Sequence, residues 1–444
     1  MTVPMSRRTF LRRAGVAGLV ASGAGGLAAC AGFGVGSGAT NAGPTRSGGP
    51  ATLHVAWWGN AARASLYRDA LALFSKDHHG ISTTSEYADL DPYLQRLSTQ
   101  SAAGDLPDVF WMRDTHVGRY GAAGALLDLR RYVGNTIDVK DLGNTAVSDG
   151  TVGHGVYALP THYVGQSIIT DTVVFQRLGI KFPANPTWDQ LGALATEISR
   201  SSGRGFWGCN DPTLGSTQRH FEAYVRQTGA ELFDRKGKLG FDGAVLGDWL
   251  SYWQKLRSDG AIPPPATQLQ SDTTPDQNLL VTGKAAFLWE SSNHLTSWQA
   301  LVKHQLDMYS LPTLPHASKT WWFFPPILIS VSAKTKSAVD CAKLVDFFLN
   351  SKPAAKITGL NQGAPSSKAI RDNLRPTLSR TDKVFVDQIT RETGYPHRPL
   401  PVRPSGADTV NAAVGRTSQQ VAYGRQSISD AVKSFQSAAK SALG

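Results

Sequence analysis

The sequence predicts an α/β fold, and three observations carry that reading. A chain of 444 residues is too long for one simple core and implies two domains. Apolar residues make up 41% and charged residues 18%, the balance of a globular protein rather than a disordered one. From Ala51 onward, strand-like and helix-like stretches alternate, which is the grammar of an open sheet covered by helices.

The chain begins differently. Ser6-Arg7-Arg8-Thr9-Phe10-Leu11 precedes a Gly- and Ala-rich run from Ala14 to Ala29. Paired arginines, a short apolar run and a small-residue stop read as a secretory signal. The run is too short and too weakly apolar for a membrane-spanning helix, which needs about 20 residues. The Arg7-Arg8 pair is similar to a twin-arginine export signal, and Leu27-Ala28-Ala29-Cys30 resembles a bacterial lipobox. That resemblance implies cleavage before Cys30 and its lipidation, and two or more acyl chains suffice as a stable anchor. The expected location is extracytoplasmic, held at the cell membrane by Cys30. Ala31 to Pro50 is mostly Gly, Ser, Thr, Ala and Pro and reads as a flexible tether. Its run of alternate glycines, Gly32 to Gly38, has no strand before it and no helix after it, so it is not a nucleotide loop.

The net charge of +11 falls to +7 without Arg7, Arg8, Arg12 and Arg13. The basic residues are scattered, which excludes a nucleic-acid groove. Of the three cysteines, Cys30 belongs to the lipobox-like stretch; Cys209 and Cys341 read as separately buried thiols rather than a disulfide.

In the body, Ala51 to Gly59 reads as a strand ending in two tryptophans. Leu66, Ala70, Leu73 and Phe74 keep helical spacing. A strand near Ile81 to Tyr87, a helix with Pro92 in its first turn, and a strand through Val109-Phe110-Trp111 follow. Ligands in open α/β sheets sit beyond the carboxyl ends of the strands. That rule brings Trp57, Trp58 and Asn60, after the first strand, near Arg113 and Asp114, after the third. Further on, Tyr157 to Thr170 reads as a crossing segment. Trp188 to Ser199 and Gly243 to Leu256 read as helices, the first capped by Thr187. Ile262 to Pro265 reads as an extended loop, and Leu279 to Phe287 as a helix-to-strand unit. Met308 to Pro312 reads as a return crossing, Pro325 to Ser332 as a strand, and Val339 to Leu349 as a helix. Ile428, Val432, Phe435 and Ala439 mark a final amphipathic helix.

Seven stretches carry a resemblance. They are Gly104-Asp105-Leu106-Pro107-Asp108-Val109-Phe110, Gly124 to Leu129, Gly155-Val156-Tyr157-Ala158-Leu159-Pro160, Pro186 to Leu191, Gly283-Lys284-Ala285-Ala286-Phe287, Ser337 to Ser351, and Gln426 to Ala431. In this order, behind a lipobox, they resemble the solute-binding lipoproteins of ABC-type sugar importers, the extracellular family that includes maltodextrin binders. Two stretches depart from the family pattern: Ile168-Ile169-Thr170-Asp171, and Trp321-Trp322-Phe323-Phe324-Pro325-Pro326. The resemblance implies a two-lobe periplasmic-binding-protein-like fold of type II, with discontinuous lobes and a three-segment hinge. Lobe 1 would hold residues 51–161 and 312–353, and lobe 2 residues 164–309 and 356–444. It also implies a monomer that works with ABC permease subunits in the membrane.

A neutral sugar offers hydroxyls, which need paired donors and acceptors, and flat C–H faces, which pack on aromatic rings. The candidate ligand-binding residues are therefore Trp57, Trp58, Asn60, Asp114, His162, Tyr163, Glu290, Ser291, Asn293, Trp321 and Trp322. Adjacent tryptophans in a strand point to opposite faces, so one of Trp57 and Trp58 belongs in the cleft. His397 and Arg398 are lesser candidates. Metalloprotease, Cys-x-x-Cys, Gly-x-Ser-x-Gly and P-loop motifs are absent from the sequence, and no cofactor is implied. The expected function is reversible capture of a mono- or oligosaccharide without chemistry. The alternatives are a non-sugar polar solute such as a polyol or sugar phosphate, or an exported carbohydrate-active enzyme.

Overall fold

The structure, a computed structural model, describes residues 50–444 except 144, 216–217, 316, 318–322, 396–397 and 399. Cys30, most of the tether, Trp321, Trp322 and His397 lie outside the described residues. The described residues fall in one compact unit. The strands, in chain order, are β1 (Ala51–Trp58), β2 (Ile81–Ala88), β3 (Val109–Met112), β4 (Thr151–Val152), β5 (Gly155–Val156) and β6 (Leu159–Asp171). They continue with β7 (Trp207–Cys209), β8 (Ala285–Ser291), β9 (Leu306–Ser310), β10 (Phe323–Val331) and β11 (Ala364–Pro365).

Nine strands share one mixed sheet, in the order β2-β1-β3-β10-β6-β8-β7, with β11 and β9 also on β6. β1 runs parallel to β2 and β3, and β10 enters antiparallel between β3 and β6. The pivot is β6, thirteen residues long and buried throughout. Its first part, through Gly165, pairs with β10 and β11; its second part, from Gln166, pairs with β8 and β9. One strand thus belongs to two halves of the sheet.

The apolar cores respect that division. Residues of 53–159 and 327–354 form two packed clusters, one on each face of the first half. Residues of 163–311 and 364–439 form two more around the second half. Together with the mixed sheet and its covering helices, this is the two-lobe α/β architecture expected of the sequence.

Local signals explain most elements. In helix Ala61–Asp77 the buried residues Ala64, Tyr67, Leu71 and Phe74 fall three and four apart and face β1 and β3. Helix Leu90–Ala103 carries Pro92 in its first turn and stops at Gly104, whose φ of 69° is left-handed. Helix Trp188–Ser202 starts with a full capping box from Thr187 and Gln190. Helix Ile428–Leu443 buries Ala431, Phe435 and Ala439. Cys209 and Cys341 are free and buried.

Two local expectations need correction. Pro265 begins a helix, Pro265–Ser271, because proline fits a helical first turn as well as an extended loop. Leu279 to Gly283 is a run of turns and not a helix. Gly283 closes it at φ 67°, and Lys284 N–H bonds the Leu279 carbonyl at 2.7 Å.

Candidate functional site

The parallel strands of both halves end at one place. Trp58 ends β1 and Arg113 follows β3; Asn210 and Asp211 follow β7, and Trp289, Glu290, Ser291 and Asn293 end and follow β8. These residues line a cavity of about 840 Å³ between the halves of the sheet. Val164 and Gln166 of β6 form part of its wall, with Arg63, Arg219, His220, Trp298 and the segment Leu360 to Gly363. The volume falls within the usual range for small-molecule sites, and the position is the one the open-sheet rule expects.

Of the candidates read from the sequence, Trp58, Glu290, Ser291 and Asn293 line this cavity. Glu290 accepts from the Ser291 amide at 2.7 Å and lies 3.0 Å from His294 Nδ1. Burial pushes its carboxyl up, but the His294 bond and charge and the Ser291 amide outweigh it and hold the group below the usual carboxylate range. His294 is raised in return: burial lowers it, and Glu290 more than compensates. Ser291 Oγ donates to Asn293 Oδ1 at 2.8 Å.

The other described candidates do not line this cavity. Trp57 is wholly buried, 5.2 Å from Tyr67 and 6.4 Å from Trp111 between ring centroids. It is the core member of its pair, as strand alternation requires of one of the two. Asn60 caps helix Ala61–Asp77, accepting from the Arg63 amide at 3.0 Å. His162 is buried with Nδ1 3.0 Å from Thr161 Oγ1, and burial with the Arg63 charge takes it down to about 3. Tyr163 is buried and its hydroxyl donates to Asp149 Oδ2 at 3.4 Å. Asp114 faces Arg219 and Arg403 in a buried ion cluster. Arg398 donates to the carbonyls of Arg226, Gly229 and Ala230. His162, Tyr163 and Asp114 are held by protein atoms because burial leaves a polar group no cheaper partner.

The wall also contains groups the sequence reading missed. Asn210 clamps the Trp289 backbone through two bonds, of 2.7 and 3.3 Å. Arg63 reaches from the first half to the Asn361 carbonyl at 3.0 Å and the Trp58 carbonyl at 3.1 Å. Trp289 stacks on Trp188 at 5.0 Å and meets His220 edge-on at 5.9 Å. Burial takes His220 down to about 4, so the imidazole is neutral at neutral pH. The side-chain amide of Gln362, Nε2 of His220 and the indole N–H groups of Trp289 and Trp298 are buried without a hydrogen-bond partner among the described residues. Trp289 was within reach of the sequence reading, being next to Glu290. His220, Asn210 and Gln362 carry no local signal, since β7 is three residues long and Gln362 lies in a turn.

Among the described residues no His, Cys, Asp and Glu cluster could hold a metal ion, and no helix is long and apolar enough to cross a membrane.

Comparison with known proteins agrees with this geometry. A solved extracellular solute-binding protein of family 1 from Alicyclobacillus acidocaldarius superposes with a TM-score of 0.78 at 24% identity. It covers 90% of this chain and 100% of its own. A periplasmic oligogalacturonide binding protein from Yersinia enterocolitica, in complex with saturated digalacturonic acid, gives a TM-score of 0.70 at 21% identity, over 89% of this chain and 100% of that one. The mannitol-binding protein of Pseudomonas aeruginosa is 26% identical over 343 residues, 72% of this chain and 73% of that relative. The bacterial extracellular solute-binding protein family model matches residues 57–355, and the chain belongs to that family.

Proposed function

We propose that this chain is the solute-binding component of an ABC-type importer, capturing a mono- or oligosaccharide or a polyol in the cavity and delivering it, unchanged, to a membrane permease. The observation that carries the reading is the cavity itself. Strand ends from both halves converge on about 840 Å³ lined by Trp58, Trp289 and Trp298 together with amide, hydroxyl and imidazole groups and the charged Arg63, Arg219 and Glu290. Aromatic faces pack against C–H surfaces, and neutral donors and acceptors suit hydroxyls. A relative named for mannitol and a fold neighbour bound to digalacturonic acid support a hydroxylated solute. In this reading the halves close on the solute by flexing about β6, and closure is favoured by contacts made only in the closed state. Anchoring through a lipidated Cys30 after twin-arginine export belongs to the same proposal.

The experiment is a thermal-shift and calorimetric screen of the chain from Ala31 onward. The panel holds mannitol, sorbitol, maltose, maltotriose and digalacturonate, with chromatography of each solute after incubation. Native-state binding adds about 2.7 kcal/mol of stability at a hundredfold excess over Kd. A shift with an intact solute supports capture. Loss of the solute would make the chain an enzyme, and silence across the panel would move the reading to a solute of another class.

A further inference from the structure

We propose that the Asp114–Arg219–Glu222–Arg403 cluster and the segment 400–406 form a latch between the two halves, with Asp114 and Arg403 positioning Arg219 at the cavity wall. The inference rests on the preceding reading only in taking the cavity as the solute site.

The charges come from both sides of the division. Asp114 opens helix Asp114–Ala122, which follows β3 in the first half. Arg219 and Glu222 lie on helix Arg219–Gln227, whose Phe221 and Val225 pack in the second half. Arg219 is 3.2 Å from Asp114 and 3.2 Å from Glu222, while Arg403 is 2.7 Å from Glu222 and 3.6 Å from Asp114. All four side chains are 6–11% exposed. Burial pushes the Asp114 and Glu222 carboxyls up, but the two guanidiniums prevail and hold both below the usual carboxylate range. Two acids and two bases balance, so the cluster tolerates burial only while all four stay together. Pulling the halves apart must hydrate all of them. Arg219 also lines the solute cavity, so the wall and the latch move as one.

A second observation is steric. The segment carrying Arg403 is moored to the second half, where Arg398 donates to the Arg226 and Ala230 carbonyls at 3.0 and 3.1 Å. From there Leu400 to Arg403 lie across Val117, Gly118, Thr151 and Val152 of the first half. The approach is close enough that a Cβ on Gly118 would sit 2.2 Å from Val402 Cγ1. Gly118 is helical, so its missing side chain serves this contact and not its own backbone.

The test is small-angle scattering of the ligand-free chain from Ala31 onward, with hydrogen exchange at 114–122 and 400–406. Gly118→Val wedges the segment off without touching a charge, and Asp114→Asn removes one charge. Both are expected to enlarge the radius of gyration and speed exchange in both segments at least tenfold. Asp114→Glu, which restores the carboxylate, should return both readouts toward wild type. An unchanged radius and exchange in Gly118→Val would overturn the latch, and that variant decides alone if Asp114→Asn does not fold. Failure of Asp114→Glu to recover where Gly118→Val opens would overturn the positioning role of Asp114. No solute enters the measurement, so a silent solute screen and a failed latch are separate outcomes.

Discussion

Trp57 and Trp58 are joined by a peptide bond and face opposite sides of the sheet. The first sits at 0% exposure among Tyr67, Tyr87 and Trp111. The second leans on Tyr93 at 5.8 Å and lines the cavity. Their substitutions should separate cleanly. Trp57→Ala is expected to cost about 3–5 kcal/mol of stability, as large-to-small core changes do, measured by denaturant unfolding. Trp58→Ala should leave most of the stability in place and weaken solute binding about tenfold or more in calorimetry. Equal losses of stability in the two variants would contradict this division.

Gln362 presents the reverse case. It is 5% exposed, and both its amide nitrogen and oxygen lack a partner among the described residues. An orphaned buried polar group costs about 1–3 kcal/mol. Gln362→Leu should therefore raise the unfolding midpoint of the ligand-free protein. A lowered midpoint would mean that the amide is already satisfied in the absence of solute.

Glu392 makes stability depend on pH. It is 5% exposed, and burial raises its carboxyl to about 7 despite bonds from Ser310 Oγ, at 2.7 Å, and Gln388 Nε2. The unfolded chain releases this proton near 4.5. Between those values the folded state alone holds the proton, so this group's contribution to stability is highest below about 4.5 and falls as pH rises toward 7. The loss is on the order of 3 kcal/mol. Buried neutral His162 and His220 slope the other way, so the fall should appear in the difference between wild type and Glu392→Gln in unfolding curves from pH 4.5 to 8. An unchanged slope in the variant would assign it to another group.

Cys209 and Cys341 should be silent to thiol reagents. Both are buried, and burial pushes both thiols up, so the reactive thiolate is scarce and shielded. With the chain from Ala31 onward, Ellman's reagent should find no thiol in the native state and both after denaturation. Rapid native labelling of either would reveal local opening near that residue.

Much of the fold was legible because its signals are local. The capping box at Thr187, the proline of helix Leu90–Ala103 and the helical spacing of Phe74 with Ala70 each lie within a few residues of what they specify. The site was legible only where it follows a strand that could itself be read, as with Trp58 and Glu290. Asp114 looked like a ligand group because its partners, Arg219 and Arg403, come from distant parts of the chain. His162 and Tyr163 were placed in the right strand, but its burial on both faces turned them to packing. Asn210, His220 and Gln362 reach the cavity through a three-residue strand, a helix start and a turn. None of these has a periodicity to read.

The insertion of β10 between β3 and β6 has a consequence for synthesis. The first half begins the chain, yet β3 keeps an open edge until residues 323–331 emerge and fill it. Open edges recruit other chains, and pairings far apart in sequence form slowly. The half that leaves the ribosome first therefore stays open until residues 163–311 of the second half have emerged, and throughout that interval the growing polypeptide needs shielding from its neighbours.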